Sequence, residues 1–124
     1  MYYGDGNHES RLREHPERYK TAYADYRKKL EAAGVRFLNG KDRANIGDSI
    51  SVAGVSLPER YYKKRGPGHL EPGYLQGELG APSKDQVQIL LAHNPLFFKD
   101  YQNWGADIAL SGHFHGGTIR LPFL

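Results

Sequence analysis

Cysteine is absent from the chain, which removes disulfides, thiolate metal sites and a cysteine nucleophile in one step. The absence fits a reducing compartment such as the cytoplasm. No apolar run is long enough to span a bilayer, and the opening residues lack the pattern of a signal peptide. Whether a longer parent carries a membrane anchor is left open by this. There is no internal repeat and no low-complexity tract. Neither sign of charge dominates: 17 Lys and Arg face 14 Asp and Glu, a net charge of +3. The basic residues gather at 11–18, 27–29 and 63–65, mixed with acids and tyrosines, and form no single stripe. A solvated surface accounts for them better than a nucleic-acid patch.

What is present is enough for one small domain over residues 1–124, with 39% apolar and 12% aromatic residues to build a core. Pro16 opens a helical pattern that Gly34 closes. Between them Tyr19, Tyr23, Tyr26, Leu30 and Ala33 recur at helical spacing, a stripe that packs on a sheet and leaves Arg27, Lys28 and Lys29 outward. Short strands are expected at 35–38, around Ile46, and at 50–55. From 58 to 82 glycines and prolines punctuate a loop-rich insertion with one short helix at 74–79. His69, within it, is given no role. The last third is the most regular. An apolar strand at 87–92, broken only by Gln88, is followed by a mixed aromatic helical stretch at 96–104. A short buried strand at 107–111 and a restart at 118–121 complete it. Strands alternating with helices predict an α/β fold. Both ends read as abrupt, so the chain is expected to be part of a longer protein.

Three polar motifs share one placement. Asn7 and His8 follow the strand-like 1–3, His93 follows 87–92, and His113 and His115 follow 108–111. Ligands of α/β sheets bind at the carboxyl ends of strands, where loops splay open. Each motif alone has a plain explanation. A single His after a strand is an ordinary loop residue, and Gly6-Asn7-His8-Glu9 suits a turn. Gly112-His113-Phe114-His115-Gly116-Gly117 is harder to dismiss, because flanking glycines let two imidazoles approach one centre closely. Imidazoles with an amide oxygen suit Mn²⁺, Fe, Zn²⁺ or Ni²⁺ better than Ca²⁺. Open positions on such a site favour hydrolysis, and two ions about 3.5–4 Å apart can clamp a phosphoester. Asp5 reads as a turn residue, with a hydrogen-bond acceptor beside the site as the alternative. Arg120 reads as an outward-facing charge rather than a phosphate contact.

These motifs, together with Leu90-Leu91-Ala92-His93-Asn94-Pro95 and the phrase from Trp104 to Ser111, resemble the calcineurin-like metallophosphoesterases. The likeness is to the bacterial branch with a Gly-His-x-His-Gly-Gly signature. It runs over essentially the whole chain, strongly at both ends and loosely between 40 and 82. It implies part of an αββα sandwich with a two-metal site at the sheet edge. It also implies that Asn7, His93 and His113 bind one metal and His115 the other. His8 then stands beside the leaving group as its proton donor or stabiliser, and Glu9 orients the loop. The implied activity is hydrolysis of a small-molecule phosphomonoester or phosphodiester through a metal-bound hydroxide, with two divalent transition metals in the intact site.

The departures are equally definite. The family's earlier Asp-x-His and Gly-Asp-x-x-Asp motifs do not occur in this sequence; Gly47-Asp48-Ser49-Ile50-Ser51 has serine at the last position and comes after the Asn-His motif. The carboxylate that bridges both metals is among what is absent. The alternative expectation is therefore an inactive metal-binding or interaction fragment, whose N-terminal strands are missing and whose open sheet edge favours self-association.

Overall fold

The computed structural model describes residues 1–113. Over them the chain is mixed α/β, as the alternating pattern predicts. It opens with β1 (Tyr2–Tyr3), then α1 (Asn7–Glu14), α2 (Pro16–Tyr19) and α3 (Ala22–Ala32). Strands β2 (Arg36–Phe37), β3 (Arg43–Ile46) and β4 (Ile50–Val55) follow. A 3-10 turn at Glu59–Tyr62 and α4 (Tyr74–Leu79) lead to β5 (Val87–Ala92). A second 3-10 turn at Pro95–Phe97, α5 (Phe98–Trp104) and β6 (Ile108–Leu110) finish the described part.

Two sheets result. The larger has the order β3-β4-β5-β6, antiparallel between β3 and β4 and parallel thereafter; β1 and β2 form a separate parallel pair. Side chains alternate across a strand, so successive residues of β4 and β5 feed opposite faces. Ala53, Val55, Leu90 and Ala92 enter one core, covered by Tyr61, Leu75, Phe97 and Tyr101. Val52, Ile89 and Leu91 enter a second with Leu38 and Ala44. Covered on both faces, the sheet is compatible with part of an α/β sandwich. Gln88, the polar exception in β5, is buried and satisfied: its carbonyl accepts from Arg43, and its amide donates to the Ser51 and Ile89 carbonyls.

The single helix expected from Pro16 to Gly34 is instead two. Lys20 adopts φ 52°, a left-handed value that no helix interior tolerates, and the chain restarts at Ala22. After the break, α3 is anchored through two of its tyrosines. Tyr23 donates to Asp5 at 2.6 Å, and Tyr26 donates to the Tyr3 hydroxyl at 2.7 Å while its ring packs edge-on against Phe37. Tyr23, Tyr26 and Leu30 are half-buried as their spacing predicts. Arg27, expected mostly outward, keeps 43% of its side chain exposed while it lies over the Phe37 ring and pairs with Glu31.

Helix α4 occupies the residues its punctuation marks, between Gly73 and Gly80, both at positive φ. β6 departs from expectation: Ile108 and Leu110 are about half exposed rather than buried, at the edge of the sheet among the described residues. The strand expected over 118–121 lies outside the described residues. Among the described residues no helix is long and apolar enough to cross a membrane.

Candidate functional site

The site is built from three chain segments leaving β1, β5 and β6. Gly4 runs so close to β5 that a Cβ there would stand 3.1 Å from that of Leu91. Two residues on, the Gly6 N–H donates to the Glu9 carboxylate at 2.9 Å, while the Gly6 carbonyl accepts from Ser10 N–H at 3.0 Å. Glu9 thereby satisfies a backbone donor that the start of a helix leaves open. Gly6-Asn7-His8-Glu9, for which a turn is the plain alternative in the sequence, forms the N-cap and first turn of α1. Ser10 pins that helix to the exit of β4 through its hydroxyl, which donates to the Leu57 carbonyl at 2.9 Å. Asn7 is half-buried and His8 exposed.

At the exits of β5 and β6, the Gly112 N–H donates to the His93 carbonyl at 3.1 Å, which ties the two loops together. His93 and His113 are both half-buried, with ring centroids 5.5 Å apart. His113 takes φ 66°, an uncommon left-handed value for a residue with a side chain, of the kind that concentrates at functional sites. Glycine backbone closes on the His93 ring from two segments. A Cβ at Gly6 would stand 3.2 Å from its Nδ1, and one at Gly112 would stand 2.9 Å from its Nδ1 and Cε1. The loops bearing Asn7, His93 and His113 thus converge. His115 lies outside the described residues.

Three contributors were invisible or underweighted in the sequence. Asp5 is no surface turn residue: it is 2% exposed, and its Oδ2 accepts from Arg13, Tyr23 and Ser56. Its Oδ1 is buried with no partner among the described residues. Burial, then the hydrogen bond to Asp5, pushes the Tyr23 hydroxyl up to about 12. Asn94 is fully buried; its amide donates to the Tyr61 carbonyl, its side-chain oxygen accepts from Leu96 N–H, and its carbonyl accepts from Tyr101. Tyr62 sets its ring 5.3 Å from that of His113 and 6.1 Å from that of His93. Its hydroxyl is buried without a partner among the described residues, and burial pushes its pKa well up. A polar side chain beside two imidazoles was the only signal available, and residues 58–82 carry no periodicity to place it.

Among the described residues no group of three or more His, Cys, Asp or Glu side chains is placed to hold a metal ion. What the segments assemble is an imidazole pair beside the Asn7 loop, walled by glycine backbone and one tyrosine. The glycine wall can be tested. Gly112→Ala should turn the His93 imidazole, since real Cβ contacts essentially never fall below 3.0 Å. Gly112 is exposed, so the fold should survive. The expected result is a displaced His93 Cε1–H resonance with an unchanged melting temperature, and no such displacement in the control Gly68→Ala, where the new methyl meets open space.

In sequence the chain is similar to proteins named for phosphoester hydrolysis. One is phosphodiesterase YaeI of Escherichia coli (strain K12), 28% identical over 89 residues, which make up 64% of this chain and 33% of that protein. Another is the uncharacterized metallophosphoesterase YkuE of Bacillus subtilis (strain 168), 30% identical over 101 residues, 81% of this chain and 32% of that protein. The chain spans about a third of the length of these curated relatives. No protein-family model matches it. No solved structure matches it either.

Proposed function

We propose that the chain carries the later half of a calcineurin-like metallophosphoesterase site, which hydrolyses a small phosphomonoester or phosphodiester with divalent metal ions. The observation that carries this reading is the pairing of His93 with His113 inside a wall of glycine backbone, beside the loop that bears Asn7. The donor chemistry fits. With a metal–nitrogen distance of about 2.0–2.1 Å, two imidazoles on one tetrahedral ion have ring centroids roughly 5 Å apart, and the observed separation is 5.5 Å. Asn7, His93 and His113 would hold one ion and His115 the other. Mn²⁺, Fe, Zn²⁺ and Ni²⁺ all suit imidazole and amide donors. When bound, such ions lower the pKa of water and neutralise developing charge on a phosphoryl oxygen.

The remaining work falls to this chain's own residues. On this reading His8, exposed on the first turn of α1, would give a proton to the departing oxygen as the P–O bond breaks. Glu9 holds the Gly6 loop and stays off the metals. Asp5 holds Arg13, Tyr23 and Ser56 through one carboxylate oxygen and so fixes the chain that leads into Asn7.

A second reading follows for the 124-residue chain taken alone. It contains neither Asp-x-His nor Gly-Asp-x-x-Asp. Two dications about 3.5–4 Å apart repel strongly unless a carboxylate lies between them. The chain alone should therefore bind metal poorly and turn over essentially nothing. The experiment is an assay with Mn²⁺ and an aryl phosphodiester on this chain and on a longer chain in which those two motifs precede residue 1. Activity in the longer chain only is expected. Inactivity of both overturns the phosphoesterase reading, and robust turnover by the 124-residue chain overturns the need for the earlier motifs.

A further inference from the structure

We propose that Tyr62 is a positioning residue for His93 and His113, its ring acting as the wedge that fixes the planes and spacing of both imidazoles. The inference rests on the metal-site reading above and adds a residue from the irregular segment 58–82. Three rings meet here. Their centroid separations are 5.5 Å for His93–His113, 5.3 Å for Tyr62–His113 and 6.1 Å for Tyr62–His93, and the planes are tilted by 78°, 51° and 53°. A histidine ring turns easily about its last side-chain bond, so packing decides where its nitrogens point. Glycine backbone limits the His93 ring on two sides. Tyr62 is the one aromatic side chain among the described residues shown packed against both imidazoles.

A wedge is useful only if it is held, and Tyr62 is. Its neighbour Tyr61 is 2% exposed and packs edge-on against Tyr74 and Phe97. The Tyr61 carbonyl accepts from the buried amide of Asn94, the residue after His93. At the start of the same 3-10 turn, the Glu59 N–H donates to the Glu14 carboxylate on α1. The turn is thus clamped to both the β5 exit and α1, the two elements that carry His93 and Asn7. Movement of one would be felt by the other through Tyr62.

The ring, and not the hydroxyl, does the positioning. The hydroxyl has no partner among the described residues, and a buried polar group left unpaired is a cost that its removal relieves. Tyr62→Phe should therefore keep metal affinity and raise the melting temperature slightly. Tyr62→Leu, which keeps bulk but loses the flat ring, should weaken metal binding by about 10–100-fold, the usual range when support of a ligating imidazole is lost.

The test uses the full chain with Co²⁺ alone as probe, followed by its visible absorption to millimolar concentration. Beside it runs a metal-free readout, the Cε1–H resonances of His93 and His113, with exposed His8 as internal reference. Tyr62→Phe should leave these resonances near wild type, and Tyr62→Leu should shift both and also change the nuclear Overhauser contact between the two imidazoles, which loss of the Tyr62 ring current alone leaves unaltered. An unchanged contact in Tyr62→Leu overturns the wedge. So does Co²⁺ affinity equal to wild type in that variant, which would leave the metal site itself standing. If the wild type takes up no Co²⁺, the outcome expected of a chain without the earlier motifs, the resonances and that contact alone decide on Tyr62. If Tyr62→Leu does not fold, Tyr62→Phe decides: a fall of its Co²⁺ affinity or movement of its resonances overturns the wedge.

Discussion

Gly54→Ala should unfold the chain or come close to it. Gly54 lies within β4, between β3 and β5, opposite Leu91 in the parallel register with β5. A Cβ there would fall on the carbonyl of Leu38, against main-chain atoms that cannot swing aside as a side-chain end can. The same crossing is fastened by the Gly40 N–H, which donates to the Gly54 carbonyl at 3.0 Å. Neither strand can retreat, because β4 is paired on both edges and Leu38 is buried at 1% exposure. Overpacking ordinarily costs about 1–3 kcal/mol and more where backbone must shift. A small domain has only about 5–15 kcal/mol in total. Urea unfolding should show a loss of about 3 kcal/mol or more for Gly54→Ala, against almost none for Gly68→Ala, whose methyl meets open space. A Gly54→Ala protein of wild-type stability would overturn the close approach of the Leu38 backbone to β4.

What could be read in advance was whatever depends on neighbours in sequence. β5 appears over the residues its apolar run marks, and α4 lies between the glycines that bound it. His93 and His113 stood out because each follows an apolar strand, and the chain brings their rings together. What failed depended on distant partners. The break at Lys20 has no glycine or proline to announce it. The anchors of α3 beyond it are equally remote: the Tyr23 and Tyr26 hydroxyls bond to Asp5 and Tyr3, 18 and 23 residues away. Asp5 looked like a turn residue because a carboxylate is rarely buried unless paired. Its donors Arg13, Tyr23 and Ser56 lie 8, 18 and 51 residues along the chain. Tyr62 was lost for the same reason. Its significance comes from Asn94, which holds the carbonyl beside it from 33 residues away.

The other large effect separates His113 from His8, in whichever form of the protein turns over. His113 packs against His93 and Tyr62, on a backbone at a left-handed φ. His8 is exposed on α1, outside that group of rings. On the proposed assignment, His113→Ala removes a metal ligand, so bound metal and rate should fall together. His8→Ala should keep its metal and lose turnover alone, by about 10²–10⁴-fold, the usual worth of a positioned general acid. The deficit should depend on the substrate. An alkyl ester, whose departing oxygen needs the proton, should show it in full, and a nitrophenyl ester, whose phenolate leaves without help, should show little. Metal content by elemental analysis and rates on both esters decide the matter. Equal metal loss in the two variants, or a His8→Ala deficit identical for both esters, would remove His8 from the leaving group and leave the imidazole pair without its proton donor.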